Sequence, residues 1–177
     1  MLEGRSGDKE TRDDVDALVP LWRQSGFSAS LIATLELSKR VSRVGALLEE
    51  AVRAEMSALG LTVAEFDVLA ALYRVGEPYR LKPSELSRSL FLTSGGISNV
   101  LQRLATVGYV ERQADAGDGR SRWVRLTDEG RRVAGTAVKA SAHAHAAVMA
   151  GVPDDVVRRA ADAMREVLSA VGGRRVR

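Results

Sequence analysis

The order of helix and strand signals in the middle of the chain constrains the fold more than any other feature of the sequence. Pro83 suits the first turn of a helix and opens the short segment PSELSRSL. After a tight turn, the segment FLTSGGISNVLQRLATVG places Ile97, Leu101 and Leu104 at helical spacing, and Gly108 ends it. YVERQ and RWVRL then alternate like two paired strands. The sequence therefore predicts a short helix, a turn, a longer helix and a β-hairpin, the arrangement of a winged helix-turn-helix.

Further helices are predicted on both sides of this segment. A leading helix is expected from about 12 to 24, where Pro20 should kink or divide it, and a long helix from about 29 to 58. LTVAEF opens the next helix, with Thr62 as N-cap and Glu65 three residues later. After the hairpin, LTDEGRRV begins an alanine-rich helix with Thr127 as its cap, and VPDDVVRRA begins the last helix.

Charge and composition restrict the class of protein. With 45% hydrophobic and 28% charged residues, the chain has the balance of an ordinary soluble globular protein. It has no cysteine, which excludes disulfides, a thiol nucleophile and cysteine-ligated zinc, and a cytoplasmic location is expected. No apolar run reaches 18 residues, so no membrane span is predicted. From Arg80 to Arg132 ten basic residues face six acidic ones, which suits a nucleic-acid surface but also an ordinary solvated one.

The start of the longer helix, TSGGISN, is the predicted recognition surface. Small residues let the backbone approach phosphates, and the free N–H groups of a helix start attract anions. Glycine weakens a helix, so two glycines here need a reason, which close approach to DNA supplies. Side chains that can bond phosphates or base edges follow along the same face; the predicted contacts are Thr93, Ser94, Gly95, Ser98, Asn99 and Arg103. The alternative is a solvated helix with a weakened first turn.

The hairpin is the predicted wing. Asp118 and Gly119 form a turn signal, and Arg120 and Arg122 lie on the descending edge of that turn. Arginine at a hairpin tip suits the narrow minor groove, and Asp118 could orient Arg120 through a charge-assisted hydrogen bond. The alternative is a salt-bridged surface turn. Trp123 is expected to face the core of the lobe.

Two stretches of the sequence resemble one family. DGRSRWVRLTDEG resembles the D-x-R wing and the L-T-x-x-G helix start of MarR-type transcription regulators. LKPSELSRSLFLTSGGISNVLQRLATVGYVER resembles their winged-helix core, and the likeness covers about 29 to 150. The resemblance implies a homodimer with interleaved terminal helices, a palindromic double-stranded DNA operator, and a small aromatic or anionic effector that weakens DNA binding.

The predicted fold class is mostly α with a small β-wing: a winged helix-turn-helix lobe, with N- and C-terminal helices forming a dimerisation domain. The predicted boundaries are 1–10 for a disordered N-terminus, 11–58 for the extra N-terminal helix and first dimerisation helix, 59–128 for the lobe, 129–173 for the C-terminal dimerisation helices and 174–177 for a basic tail.

One branch of the family is more similar than the rest. LWRQ in a leading helix, followed by EFDVLAALYRVGEPYRL and TSGG, is similar to the urate-responsive regulators. The likeness implies a ligand site at Trp22, Asp67 and Val100, but Val100 stands where that branch has an arginine. The first long helix also lacks the histidine of that branch, so the expected effector is more apolar than urate, or differently charged. The alternative is that Trp22 only packs and Asp67 is an exposed helical residue.

The sequence thus predicts a homodimeric, ligand-released repressor without cofactor, metal or catalytic residues. His143 and His145 lie two apart on a helix and point to different sides, and no Walker or nucleophile-elbow motif is present. The alternatives are a winged-helix module that binds proteins instead of DNA and, less well supported, a small helical enzyme.

Overall fold

The computed structural model describes residues 12–90, 94–115 and 118–172, with residues 94, 114–115 and 118–122 described through their backbone only. The described helices and strands are, in chain order, α1 (Val19–Gln24), α2 (Ala29–Ala58), α3 (Val63–Arg74), β1 (Arg80–Leu81), α4 (Pro83–Ser89), α5 (Ser94–Thr106), β2 (Val110–Asp115), β3 (Asp118–Leu126), α6 (Asp128–Val148) and α7 (Asp154–Val171). This order confirms the predicted fold class, mostly helical with a small sheet. The chain divides into two compact units, Met1–Glu50 and Ala51–Arg177.

The leading helix is shorter than predicted. Residues 12–18 form turns, and only α1 is helical. The carboxylate of Asp13 accepts a hydrogen bond from the backbone N–H of Val15 at 2.9 Å, a local bond that competes with helix formation. Pro20 lies in the first turn of α1, where its missing N–H costs nothing, so the kink predicted there is wrong.

Arg40 of α2 ties this turn segment to the first unit. Its guanidinium donates to Asp13 at 2.8 Å, to Asp16 at 2.9 Å and to Glu36 at 3.0 Å. The hydrogen bond from Arg40 holds the pKa of Asp13 below its ordinary value. One side chain thus fixes a stretch of chain whose own backbone hydrogen bonds, from Asp16 to Asp13 and from Leu18 to Val15, form turns and not a continuous helix.

The second unit begins with helix-end signals that match the sequence prediction. Gly60 follows α2 with φ +70°, and the hydroxyl of Thr62 accepts from the N–H of Glu65 at 3.2 Å. The carboxylate of Glu65 accepts in return from the N–H of Thr62 at 2.8 Å. This reciprocal pair is the predicted capping box, and it sets where α3 begins.

The sheet has three antiparallel strands in the order β1-β3-β2, one more than predicted. β1 pairs Arg80 with Arg125 and Leu81 with Val124. Two residues are too few to show alternation in a sequence, which explains why β1 was missed. Through β1 the sheet joins the chain just before α4 to the wing strand.

Apolar side chains from α2 to α6 and from the sheet form the core of this unit. The fully buried ones include Met56, Leu69, Leu72, Leu86, Ile97, Leu101, Leu104, Val124 and Ala134. The start of α6 is held close to the start of β2, because the Thr127 hydroxyl donates to the Gly108 carbonyl at 2.7 Å. A Cβ at Gly130 would overlap the carbonyl of Tyr109, so this contact requires glycine.

Within the described part of the chain, no single helix is both long and apolar enough to cross a membrane. Only α2 and α3 taken together, bent by 87° between them, meet the length and composition criteria.

Candidate nucleic-acid interface

Helix α5 has the two faces that the sequence predicted. Ile97, Leu101 and Leu104 are buried in the core of the second unit. Gly95, Ser98, Asn99 and Arg103 are exposed on the other side. An open groove follows this outer face and is lined by Asn99, Gln102, Arg103, Thr106 and Val107. The buried stripe therefore fixes the rotation of a helix whose exposed face is polar. Of the remaining predicted contacts, Ser94 begins the helix, and Thr93 lies outside the described residues.

Gly95 has no role in the packing of the chain itself. Among the described residues, and apart from its chain neighbours and the backbone of its own helix, no atom lies within 4 Å of the position that a Cβ would occupy, and its φ is outside the left-handed region. An alanine would therefore fit, and it would favour the helix. A reason for glycine has to come from something that approaches α5 from outside.

Arg103 is anchored by a neighbouring helix. Its Nε lies 3.1 Å from Oε1 of Glu65, whose side chain is 6% exposed, while the side chain of Arg103 is 68% exposed. The carboxylate of Glu65 thus both caps α3 and holds Arg103 of α5. The sequence showed each residue but not the pairing, which depends on how the two helices pack.

The wing strands are longer than predicted. The pairing of β2 with β3 begins with Val110 opposite Leu126 and ends with Asp115 opposite Asp118. The register shifts between Ala114 and Asp115. The turn predicted at Asp118 and Gly119 is therefore wrong, because both residues lie in β3. Backbone pairing can extend beyond the part of a strand that shows side-chain alternation. Arg120 and Arg122 also lie in β3, and Arg122 is opposite Ala114.

Trp123 does not face the core as predicted. Val124 and Leu126 are the buried residues of this strand, and Trp123, out of phase with them, is half-buried on the other face of the sheet. Two cations lie over its ring: the guanidinium carbon of Arg80 at 4.7 Å and Nζ of Lys82 at 5.0 Å from a ring centroid. The orientation of Trp123 could have been predicted from the alternation of RWVRL, because adjacent strand residues point to opposite faces and Val124 faces the core.

The three predicted ligand residues lie on three different helices. Trp22 of α1 is half-buried in the first unit. In the second unit, burial raises the pKa of Asp67 on α3, and Arg74 partly opposes that rise. Val100 of α5 packs against the core.

A pocket in the second unit is lined by none of these three residues. It lies where β3 meets α6 and is lined by Glu77, Pro78, Tyr79, Arg125, Leu126, Thr127, Asp128 and Arg131.

On α6, Nδ1 of His145 lies 2.7 Å from the Ser141 carbonyl. Among the described residues, no group of three histidines, cysteines or carboxylates could hold a metal ion.

Comparison with known sequences identifies relatives. A profile of the MarR family matches residues 59–121. The chain is 33% identical to the HTH-type transcriptional regulator PecS of Dickeya dadantii over 117 residues, covering 66% of this chain and 70% of PecS. It is 38% identical to the HTH-type transcriptional repressor Rv2887 of Mycobacterium tuberculosis over 108 residues, covering 61% of this chain and 76% of that protein.

Solved structures agree with these sequence matches. A Rv2887 complex with DNA has 30% identity and a TM-score of 0.59, and covers 74% of this chain and 96% of the other. CouR from Rhodococcus jostii, bound to p-coumaroyl-CoA, has 25% identity and a TM-score of 0.63, and covers 74% and 90%. PecS and Rv2887 are named as transcriptional regulators, which favours a DNA-binding regulator over an enzyme or a protein-binding module. The chain belongs to the MarR family of winged helix-turn-helix transcription regulators.

Proposed function

We propose that this protein is a repressor that binds a palindromic operator as a homodimer and leaves it when a small effector binds. The outer face of α5 carries this proposal: a buried stripe fixes its rotation, its exposed side chains are polar, and Gly95 is open to close approach. In a helix-turn-helix the second helix enters the major groove with its N-terminal residues leading. Ser94, Ser98 and Asn99 then bond phosphates or base edges, and Arg103 reaches further along the groove.

The wing supplies the second proposed DNA contact. Arg120 and Arg122 of β3 enter the neighbouring minor groove, and Asp118 orients Arg120. Repression follows from occupancy, because a protein on a promoter excludes the transcription machinery from the same DNA. A cytoplasmic location agrees with a partner that is bacterial or archaeal DNA.

The apolar side of α7 supports the homodimer. No residue of α7 is buried, although the helix is strongly amphipathic; its exposed apolar side chains are Val156, Val157, Val167, Leu168 and Val171. A helix with an uncovered apolar side is stable in water only when something packs on it. We assign that cover to a second copy, with residues 129–173 and 11–58 as the proposed dimerisation region and residues 59–128 as the proposed DNA-binding lobe.

Release by a small effector is the third part of the proposal. CouR shows that a relative takes a small-molecule ligand. We place an aromatic or anionic effector at Trp22, Asp67 and Val100, and retain the likeness to the urate-responsive branch as part of this proposal. Valine at position 100 cannot pair with an anion, which favours an effector that is more apolar than urate or differently charged. Thermal-shift measurement with aromatic and carboxylate metabolites tests the site, and stabilisation that survives Trp22→Ala would contradict it.

A gel shift with Arg120→Ala tests the repressor proposal. The DNA is the intergenic region beside the gene of this protein, since such regulators often control their own promoter. We expect weaker binding and an unchanged folded dimer, because the change removes one of the positive charges that we propose to contact DNA. Arg158→Ala removes the same charge from α7 and should bind like the wild type. Salt-independent binding by the wild type would instead favour the protein-interaction alternative, because phosphate contacts release counterions.

A further inference from the structure

The ring of Trp123 brings together two cations, Arg80 and Lys82. Neither cation belongs to the recognition helix α5 or to the tip of the wing. Arg80 of β1 reaches its ring because β1 pairs with β3, and Lys82 follows directly before α4. Both cationic groups lie within 5.0 Å of a ring centroid, the range of cation–π attraction. We call Arg80, Lys82 and Trp123 the tryptophan cluster.

Arg80 is held by the ring and not by an acid. It is exposed, and among the described residues its side chain makes no hydrogen bond or ion pair. The nearby carboxylates have other partners: Glu85 accepts from the backbone N–H of Lys82 at 2.7 Å, and Glu111 lies 3.6 Å from Arg125. A guanidinium that stacks on an aromatic ring keeps N–H donors for an anion.

The tryptophan cluster lies where the chain that leads into the helix-turn-helix meets the wing strand. Lys82 is the residue before α4, the first helix of the helix-turn-helix, and such helices cross the DNA backbone. Trp123 is three residues beyond Arg120 on the wing strand. A duplex with α5 in its major groove and the wing in the adjacent minor groove has a phosphate strand between these grooves, and the cluster joins the chain just before α4 to the wing strand.

We propose that Arg80 and Lys82 bind DNA phosphates on the strand between those two grooves, with Trp123 as the residue that positions them. This inference rests on the proposed function. Arginine and lysine lose side-chain freedom when they bind a phosphate, and stacking on Trp123 restricts them beforehand. The contribution is independent of DNA sequence, because phosphates carry no sequence information.

Fluorescence anisotropy with two duplexes tests the cluster. One duplex has random sequence, and the other is selected from a random pool by the wild-type protein. For Arg80→Gln and Lys82→Gln we expect weaker binding to both duplexes by a similar factor. The slope of log affinity against log salt should become shallower by about 0.9 for each phosphate that the variant no longer binds. Lys39→Gln removes one positive charge from α2 and is the matched control, with an unchanged slope.

The positioning role of Trp123 has its own test. Trp123→Phe keeps an aromatic face and should retain most of the affinity, whereas Trp123→Leu keeps apolar bulk without a π face and should bind like Arg80→Gln. Equal affinity of the two variants would overturn the positioning role. Circular dichroism checks folding, and Arg80→Gln, a surface change, decides the phosphate contact even when a Trp123 variant does not fold.

The result also separates this inference from the proposed function. When the wild type binds DNA with a steep salt dependence and Arg80→Gln shares its slope and affinity, the tryptophan cluster is not a phosphate site, and the repressor proposal stands. When the wild type has no salt-dependent affinity for either duplex, both proposals fail. A weakening confined to the selected duplex overturns the phosphate assignment, because it indicates base readout.

Discussion

At Gly95 the stability of the protein and its proposed contact with DNA make opposite demands. Glycine inside a helix costs about 0.5–1 kcal/mol relative to alanine. The space around Gly95 is open, but Gly95 is the second residue of α5, so Gly95→Ala should raise the free energy of unfolding by at most about that amount. It should also weaken DNA binding, because the added methyl group separates the start of α5 from the DNA backbone. Denaturant unfolding and anisotropy measure the two effects.

Gly45→Ala is the matched control for this prediction. Gly45 is also helical, and the described residues outside its own helix backbone leave the same open space where a Cβ would lie, but it is on α2. The control should gain stability in the same way and leave the DNA affinity unchanged. If Gly95→Ala gained stability and bound DNA as well as the wild type, close approach would no longer explain the glycine.

Asp67 gives a prediction about pH. Burial raises its pKa, so the folded state holds the proton more tightly than the unfolded state does. The resulting stabilisation is complete below the unfolded value of about 3.9 and is lost as pH rises through the raised folded value. Asp67→Asn should therefore become more stable relative to the wild type as pH rises across this window. Unfolding in denaturant at a series of pH values measures the difference.

The control for Asp67 is an aspartate with the opposite shift. The hydrogen bond from Arg40 lowers the pKa of Asp13, so its stabilisation is present above the unfolded value and is lost as pH falls. Asp13→Asn should become less stable relative to the wild type as pH rises. Two aspartate-to-asparagine changes that respond to pH in the same direction would contradict the assigned causes.

Single residues also show how far the candidate site can be predicted from sequence. Ser98, Asn99 and Arg103 could be placed on one polar face because the buried stripe of α5 is periodic. The Glu65–Arg103 pair and the ring of Trp123 under Arg80 could not, because each needs two elements that pack together in three dimensions. Side-chain partners across elements are set by tertiary geometry, which a single sequence does not contain.

At the scale of whole elements, the reliable predictions are those with a local physical cause. Thr62 and Glu65 cap α3 through bonds that span three residues, and Gly60 ends the turn before them with a positive φ. The helix expected over 12–18 failed because the side chain of Asp13 bonds the backbone itself. The strand β1 is visible only through its pairing with β3. Local hydrogen bonding can be predicted from sequence, whereas pairing between distant segments cannot.

The junction of β2 and α6 yields a prediction at this scale. A Cβ at Gly130 would overlap the carbonyl of Tyr109, although alanine is the better helix former. Gly130→Ala should lower the free energy of unfolding by about 1–3 kcal/mol, as overpacking does. Thermal and denaturant unfolding measure the decrease. Gly45→Ala is the control, because a Cβ at position 45 has open space, and it should raise the free energy of unfolding. If Gly130→Ala raised it by the same amount, the backbone at Tyr109 would accommodate the methyl group without strain.

At the scale of the whole molecule, the proposed homodimer couples DNA binding to assembly. A palindromic operator presents two half-sites, and only a symmetric dimer holds two α5 helices in a fixed relation to them. Each half-site alone offers few contacts. A protein that dimerises through its terminal helices therefore converts two weak half-site contacts into one strong operator contact, because the second contact is made at high effective concentration.

Leu168 tests this coupling, because its side chain is 72% exposed on the apolar side of α7. Leu168→Glu places a charge where the partner copy should pack, and we expect monomers in sedimentation-velocity experiments. Operator affinity should fall steeply, while affinity for random duplex at low salt should fall much less, because each monomer keeps its phosphate contacts. Arg159→Glu is the control and should remain dimeric. It introduces the same side chain nine residues away, on the opposite side of α7. The ion pair that it removes, between Arg159 and Asp155, is exposed and contributes little to the stability of the protein. A Leu168→Glu protein that remains dimeric would show that the apolar side of α7 is not the interface, and dimers should then be sought along α2.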